Sequence, residues 1–323
     1  MGFEELCDLG TPWCMHAVAT LRVADYIAEG VTDIDRLAGA VGADCDSLGR
    51  VMRHLVGKGV FEEPERGRFA LNDAARPLLD SGARLALDLD SFGGRMAGAW
   101  NTLLSAVRKG RPAYHEAFGR GFWEDLEANP EIAANFDALM GPAGHGAPDP
   151  EVLIDPADWA SVRTVVDVGG GAGSLLAAIL RARPHVYGTL VDLPRTVARA
   201  RETFEAAGVA GRATLAGQSF FDPLPAGADV YVLKNVLGDW PDREATAILR
   251  RCAEGARPAG RLIVFNSVDP RERASPELLM LVLVGGRGRT VDDLRTLGRD
   301  AGLEVRALGK QPSGRGLVEF RTV

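Results

Sequence analysis

Beyond residue 150, short apolar runs alternate with longer segments that are apolar on one side only. The runs are rich in Val, Leu and Ile, which is typical of strands buried on both faces of a sheet, whereas the longer segments have helical periodicity. The last two runs follow each other directly, as antiparallel strands do. The predicted strands are residues 165–168, 188–192, 213–216, 230–233, 261–265, 303–308 and 316–321. The pattern therefore predicts an α/β fold with a Rossmann-like seven-stranded sheet.

The first 150 residues have a different pattern, in which helical periodicity dominates. Residues 1–30 carry a broad apolar face, which predicts packing against another domain or subunit. Residues 32–72 predict a winged helix whose second helix starts at Leu48, is capped by Asp46 or Ser47, and precedes two short strands. Residues 84–140 are again helical, and the Gly- and Pro-rich stretch 141–150 predicts a linker. We therefore expect a mostly helical N-terminal domain at 1–145 and the Rossmann-like domain at 146–323.

The composition and charge of the chain limit the kinds of molecule that the protein is expected to bind. The chain has 323 residues and a net charge of −7, which argues against nucleic acid, although a winged helix with Arg50 and Arg53 can in principle bind DNA. No secretory signal pattern and no apolar run of membrane-spanning length is visible. The four cysteines have no metal-ligand spacing and fit thiols in a reducing compartment. We therefore expect a cytoplasmic protein without a metal, a membrane partner or a nucleic-acid partner.

The most informative stretch is a glycine-rich turn between a predicted strand and a predicted helix. The sequence Thr164-Val-Val-Asp-Val-Gly-Gly-Gly-Ala-Gly173 is followed by an apolar segment that ends before Pro184. Glycines let a ligand approach the backbone, and the N-terminus of a helix offers free N–H groups. The dinucleotide pattern Gly-x-Gly-x-x-Gly fits in neither register. The pattern Asp167-x-Gly-x-Gly-x-Gly173 does fit, and this acidic glycine motif is typical of proteins that bind S-adenosylmethionine (SAM).

A second acidic residue supports this interpretation. Asp192 ends the next predicted strand, where a carboxylate of a nucleotide-binding fold accepts hydrogen bonds from both ribose hydroxyls. SAM also carries an ammonium and a sulfonium group, which favour a carboxylate such as Asp167 nearby. A glycine-rich turn that binds nothing is the alternative. The motif and the two acids together predict SAM as cofactor and S-adenosylhomocysteine as its product.

Several further segments carry a resemblance to a known family. They are Val166-Asp-Val-Gly-Gly-Gly-Ala-Gly173, Gly110-Arg-Pro-Ala-Tyr114, Phe122-Trp-Glu-Asp-Leu126, Phe136-Asp-Ala-Leu-Met140, Val236-Leu-Gly-Asp-Trp240 and Gly285-Gly-Arg-Gly-Arg-Thr290. With them the chain resembles the SAM-dependent O-methyltransferases of caffeate-type architecture. Within that family it is similar to the bacterial polyketide-tailoring branch of carminomycin 4-O-methyltransferase and aclacinomycin 10-hydroxylase. The resemblance implies a homodimer formed through the winged-helix domain, and a small aromatic hydroxyl substrate of secondary metabolism, such as antibiotic biosynthesis.

The resemblance also implies roles for individual positions. Asp192 would hold the ribose, Phe221 would flank the adenine, and the carbonyl of the Gln218 side chain would accept a bond from the adenine amine. The predicted cofactor-binding residues are Asp167, Gly169, Gly171, Asp192, Leu193, Gln218, Ser219, Phe220, Phe221 and Lys234. The predicted substrate-binding residues are Trp100, Asn101, Leu104, Phe136, Met140, Leu237, Asp239 and Met280. For Trp100, Phe136 and Met140 the alternative is an ordinary core position.

The catalytic positions of the family are not retained. Its general base is a His at the position of Gly238, and its two acidic residues are replaced by Asn266 and Gly288. The catalytic residues are therefore unknown, and His145, in the predicted linker, is one candidate for a replacement base. Holding the substrate and the methyl group in line can supply ~7–11 kcal/mol, whereas a general base typically supplies ~10²–10⁴ in rate. Methyl transfer by proximity is therefore expected; the alternative is an enzyme that retains SAM for hydroxylation, decarboxylation or cyclisation.

Overall fold

The structure, a computed structural model, describes residues 2–141, 148–265, 277–312, 314 and 316–323. The helices, numbered here in chain order, are α1 Phe3–Leu6, α2 Gly10–Thr20, α3 Val23–Ala28, α4 Ile34–Val41, α5 Cys45–Gly57, α6 Ser81–Leu87, α7 Phe92–Ala99, α8 Leu103–Lys109, α9 Tyr114–Phe118, α10 Phe122–Ala128, α11 Pro130–Met140, α12 Ser174–Ala182, α13 Pro194–Ala206, α14 Asp242–Ala256, α15 Leu278–Leu283 and α16 Val291–Asp300. The strands are β1 Phe61–Glu65, β2 Arg68–Leu71, β3 Thr164–Val168, β4 Tyr187–Asp192, β5 Ala213–Gly217, β6 Val230–Lys234, β7 Arg261–Phe265, β8 Leu303–Lys310 and β9 Gly316–Thr322.

The chain divides into two compact units. One consists of Met1–Asn101 with Trp123–Gly144, and the other of Thr102–Phe122 with His145–Val323. The segment 102–122 thus belongs with the second unit although it precedes the linker. We keep 1–145 and 146–323 as proposed domain boundaries.

The first unit contains the predicted winged helix. Helices α4 and α5 precede an antiparallel pair in which Phe61 lies opposite Leu71. The start of the second helix was predicted three residues too late: α5 begins at Cys45, and its cap is Asp44, whose carboxylate accepts a hydrogen bond from Ser47 N at 2.9 Å. Asp44, Asp46 and Ser47 can all cap a helix. Asp44 does so because its backbone is extended (φ −69°, ψ 130°) while the residues after it are already helical.

The second unit contains a seven-stranded sheet in the order β5-β4-β3-β6-β7-β9-β8. All neighbouring strands are parallel except β9, which runs antiparallel to both β7 and β8. The alternation in β6 shows how both faces are covered: Val230 and Val232 belong to one apolar cluster, whereas Tyr231 and Leu233 belong to the other. The predicted Rossmann-like fold class is confirmed. The carboxyl ends of β3, β4 and β6 meet at one edge of this sheet, which is the place where such folds bind ligands.

Candidate cofactor and catalytic site

The glycine turn after β3 has a conformation that requires glycine. Gly169, Gly171 and Gly173 have φ values of 70°, 60° and 79°, in the left-handed region that other residues rarely adopt. A Cβ at Gly169 would lie 2.7 Å from Val236 Cγ2, so this position is closed by packing as well. A Cβ at Gly171, by contrast, would meet no described atom within 4 Å. The turn is therefore packed at its start and open at Gly171, where a ligand can reach the backbone.

Asp192 joins the end of β4 to this turn. Its Oδ2 accepts a hydrogen bond from Gly171 N at 2.8 Å, and its Oδ1 accepts one from Leu193 N at 2.8 Å. Burial raises the pKa of Asp192, and the two amide N–H groups act in the opposite direction. An ionised carboxylate has about four acceptor sites. The two backbone N–H groups and the Thr196 hydroxyl use three of them here. A ribose would take the remaining site and the one that Thr196 occupies.

Asp167 lies underneath the turn. It is 0% exposed, and its Oδ2 would lie 2.5 Å from a Cβ at Gly170. The pKa of Asp167 is raised to about 7. Burial is the largest cause and the Asp192 carboxylate also raises it, whereas the Lys234 ammonium and the nearby Leu176 N–H lower it. Among the described residues, neither carboxyl oxygen has a hydrogen-bond partner of normal geometry. A buried carboxyl of this kind is costly unless a cation or donor compensates it, and a cationic ligand on the turn would do so.

Aromatic rings border the same edge after β5 and β6. Phe220, Phe221 and Trp240 form a three-ring cluster, in which Trp240 meets both phenylalanines edge to face with centroids 5.8 and 5.0 Å away. The Gln218 backbone N–H donates to Asp192 O at 2.9 Å, and its side-chain Nε2 donates to Pro223 O at 2.9 Å. The bond to Pro223 fixes the side-chain amide, and no described residue donates to its Oε1. These groups fit an adenine, which has apolar faces and an amine that donates.

The segment after β6 is the position of the family's catalytic His. Lys234 ends the strand, Asn235 has a left-handed backbone (φ 57°), and a short 3-10 turn runs over Leu237–Asp239. Gly238 within this turn has no side chain that could accept a proton. Gly288, which occupies the position of one of the family's two acidic residues, is buried. The other, Asn266, and the candidate base His145 lie outside the described residues.

A buried arginine, Arg289, holds this turn, and the sequence analysis assigned it no role. Arg289 is 0% exposed, donates to Leu237 O, and donates to Trp240 O at 2.7 Å. It also pairs with Asp242, at the start of α14, at 2.9 Å. The sequence signal was an arginine in a glycine-rich stretch, which by itself does not distinguish a buried residue from an exposed one.

The predicted substrate-binding residues are divided between the two units. In the first unit, Phe136 meets Phe92 and Trp123 edge to face with centroids 5.1 and 6.0 Å away, whereas Trp100, Asn101 and Met140 are exposed. In the second unit, Leu104 is exposed, Leu237 is fully buried, and Asp239 and Met280 are half-buried. Their joint contact with a substrate stays a prediction, as do the roles of the cofactor-binding residues.

Two properties of the described residues bear on the expected partners. No group of three or more His, Cys, Asp or Glu side chains in that part of the chain could hold a metal ion. No helix in the same ranges is both long and apolar enough to cross a membrane.

Three features together define the class of SAM-dependent methyltransferases. They are a doubly wound sheet with one antiparallel strand near its end, an acidic glycine turn, and a carboxylate after the second strand of the sheet. The comparisons with known proteins agree. The family model of the O-methyltransferase domain matches residues 100–304 of this chain. The family model of the O-methyltransferase dimerisation domain matches residues 6–81. The chain belongs to the O-methyltransferase family. The predicted family, class of enzyme and methyl donor are thereby confirmed.

The chain is similar to enzymes of Streptomyces over almost its whole length. It is 43% identical to 2,7-dihydroxy-5-methyl-1-naphthoate 7-O-methyltransferase of Streptomyces carzinostaticus, over 95% of this chain and 93% of the relative. It is 40% identical to aclacinomycin 10-hydroxylase RdmB of Streptomyces purpurascens, over 94% of this chain and 83% of the relative. A solved structure of the O-methyltransferase NcsB1 from neocarzinostatin biosynthesis, in complex with SAM and 2-hydroxy-5-methyl naphthoic acid, has a TM-score of 0.91. It is 40% identical and covers 100% of this chain and 99% of that one.

Proposed function

We propose that this enzyme transfers the methyl group of SAM to a hydroxyl group of a small aromatic natural product of polyketide type. The observation that carries the proposal is the joining of Asp192 to the open glycine turn, with aromatic rings at the same sheet edge. The similarity to a naphthoate 7-O-methyltransferase and to NcsB1 supports an aromatic hydroxyl substrate. NcsB1 acts in neocarzinostatin biosynthesis, which supports a role of this enzyme in secondary metabolism.

The residues of the glycine turn and its surroundings fit SAM. Asp192 would accept the ribose hydroxyls, Gln218 Oε1 the adenine amine, and Gly169 and Gly171 would contact the methionine part. Asp167 is buried beneath the turn, and neither of its carboxyl oxygens has a hydrogen-bond partner of normal geometry among the described residues. A ligand with two positive groups would favour the ionised form of this carboxyl. When bound, SAM supplies an electrophilic methyl group on a sulfonium.

The chain's own contribution to the reaction is then mainly positional. Gly238 stands where the family has its His, so the usual imidazole takes no part. The rigid turn over Leu237–Asp239 and the substrate-binding side chains would hold the acceptor oxygen in line with the methyl group. Orientation of this kind can supply ~7–11 kcal/mol, which is enough to support catalysis without that His.

A second candidate function is non-methylating tailoring, such as hydroxylation, decarboxylation or cyclisation with SAM retained. The similarity to aclacinomycin 10-hydroxylase RdmB and the loss of the family's His favour it. It differs from the first in one measurable respect, because it consumes an aromatic substrate without forming S-adenosylhomocysteine.

We also propose that the enzyme is a homodimer. Residues 6–81 match the O-methyltransferase dimerisation domain. Near the N-terminus, Phe3, Leu6, Leu9 and Trp13 leave large apolar side chains exposed. A second copy of this chain would cover such a face.

The test is an assay of S-adenosylhomocysteine formation with a panel of hydroxynaphthoic acids and hydroxyquinones. We expect at least one acceptor to yield one equivalent of S-adenosylhomocysteine per equivalent of methylated product. Consumption of an acceptor without S-adenosylhomocysteine would contradict the proposal and support the second candidate. An acceptor without a free hydroxyl is the matched control, and it should give neither product.

A further inference from the structure

The turn that has lost the family's His carries a carboxyl group at its next position. Gly238 offers no proton acceptor, and Asp239 follows it at the end of the 3-10 turn. Asp239 is half-buried. No described residue donates a hydrogen bond to its carboxyl oxygens, so a ligand can use them.

This turn is held rigidly from two directions. Arg289 binds the carbonyl oxygens of Leu237 and Trp240, on either side of Asp239. On another side, a Cβ at Gly286 would lie 2.8 Å from Asp239 Cα, so the backbones of the two segments are in close contact there. A catalytic group needs such fixed placement, because small displacements cost much of the benefit of orientation.

Backbone strain is concentrated next to the turn. Asn235, before the turn, and Glu277, at the start of α15, have φ values of 57° and 36°. Arg22 is the other described non-glycine residue with a positive φ, and it lies in the first unit. Strained backbone that packing maintains is enriched at functional sites. The strained backbone therefore indicates that the segment around Asp239 has a functional role.

We propose that Asp239 accepts the proton of the acceptor hydroxyl during methyl transfer and so replaces the missing His. As the oxygen–carbon bond forms, the sulfur–methyl bond breaks and its electron pair remains on sulfur. The oxygen–hydrogen bond breaks, its electron pair remains on oxygen, and the proton moves to the Asp239 carboxylate. The cationic sulfonium and the anionic carboxylate both become neutral, so charge is balanced, and the carboxyl later releases the proton to solvent. The inference rests on the proposed function and assigns a catalytic residue to it.

The charges around Asp239 suit this task. The pKa of Asp239 is raised to about 7, chiefly by burial and in addition by the Glu277 carboxylate. The pKa of Glu277 is itself raised by burial and lowered by Arg289. Arg289 and Arg287 are paired with Asp242, so much of their positive charge is neutralised within that cluster. A carboxylate with a pKa near 7 is a far better base than an ordinary Asp and is still ionised above neutral pH.

The test uses Asp239→Asn, Glu277→Gln and the control Asp222→Asn in the full-length enzyme, with an acceptor that the wild type methylates. Asp222 is an exposed aspartate near the same sheet edge, outside the proposed machinery. We expect Asp239→Asn to lower kcat by ~10²–10⁴ with little change in KM, and to abolish the fall in rate below about pH 7. Glu277→Gln should keep this limb but move it to lower pH, since it removes the neighbouring negative charge. Asp222→Asn should change neither quantity.

Several results would overturn the inference. One is an unaltered acidic limb in Asp239→Asn, and another is an effect on KM alone, which would mean that Asp239 only contacts the substrate. Calorimetry with S-adenosylhomocysteine checks that each variant still binds the cofactor product, so a misfolded variant is recognised. Asp239→Ala, which also lacks the carboxylate, is then used in its place. A wild type that forms no S-adenosylhomocysteine with any acceptor contradicts the proposed function itself, which is a different outcome from wild-type turnover that ignores Asp239.

Discussion

Replacing Asp192 with Ala removes the carboxylate that connects the cofactor's expected ribose to the glycine turn. In the free enzyme, this carboxylate accepts hydrogen bonds from Gly171 N and Leu193 N, both at 2.8 Å. In the complex, it would accept bonds from two ribose hydroxyls, one of them in place of the Thr196 hydroxyl. The variant therefore loses the ribose contacts directly and loosens the turn at Gly171 as well.

The magnitude follows from the groups left without a partner. A donor in a mostly buried site that loses its acceptor costs about 1–3 kcal/mol. The backbone donors are unpaired in both the free and the bound variant, so their loss largely cancels in binding, whereas the loss of the ribose hydrogen bonds does not. We therefore expect the Kd for SAM to rise by ~5- to 150-fold, which corresponds to about 1–3 kcal/mol. Asp192→Asn retains one acceptor oxygen and should lie between Ala and the wild type.

The assay is isothermal titration calorimetry with SAM and, separately, with S-adenosylhomocysteine. Both ligands have the same ribose but only SAM has the sulfonium, so the variant should weaken both by the same factor if Asp192 acts on the ribose. Asp222→Ala removes an equal charge from an exposed position near the same edge and should leave both Kd values unchanged. Thermal melting of each variant establishes that it is folded.

Two results would refute this reasoning. An unchanged Kd in a folded Asp192→Ala protein would mean that the carboxylate does not hold the ribose and that the assigned register of the site is wrong. A much larger loss for SAM than for S-adenosylhomocysteine would mean that Asp192 acts through its charge on the sulfonium.

Three further predictions concern stability and assembly. The pKa of Asp167 is about 7 in the folded enzyme and 3.8 for an ordinary Asp, so folding favours the protonated carboxyl. The protonated carboxyl therefore stabilises the folded state below about pH 4, and this stabilisation is lost as pH rises through 7. Between about pH 4 and 7, the free energy of unfolding of Asp167→Asn should therefore increase relative to that of the wild type, by at most about 4 kcal/mol. Denaturant titrations of the SAM-free protein measure this, and a difference between the two proteins that does not change with pH would contradict it. Arg289→Met should destabilise the enzyme by about 2–6 kcal/mol, because the carbonyl oxygens of Leu237 and Trp240 each lose their donor at about 1–3 kcal/mol. Arg287→Met, at a side chain 45% exposed that binds the same Asp242, should cost about 1 kcal/mol or less. Equal melting temperatures of the two variants would rule this out. Trp13→Asp should shift the enzyme towards monomer in light scattering at micromolar concentration, and a stable dimer would show that this face is not the interface.

Local features of the sequence determined the architecture and the identity of the cofactor turn. The apolar runs gave the seven strands of the sheet within one or two residues at their ends, because continuous apolar runs are needed wherever both faces of a strand are buried. Gly169 and Gly171 identified the cofactor turn because glycine lets a ligand approach the backbone, and in the structure both have left-handed φ values that few other residues adopt. Asp192 was predictable as well, since its position at the end of the second strand fixes the sheet edge at which it lies.

Tertiary structure alone decided the chemical state of the side chains. Asp167 and Asp239 are acidic residues like many others in the sequence, yet burial raises the pKa of both to about 7. Arg289 holds the carbonyl of Leu237, which lies 52 positions away in the chain. Glu277 acts on Asp239 from the start of a different helix. Burial and distances between charges depend on segments that only folding brings together, whereas strand patterns and glycine turns depend on neighbouring residues, which the sequence contains directly.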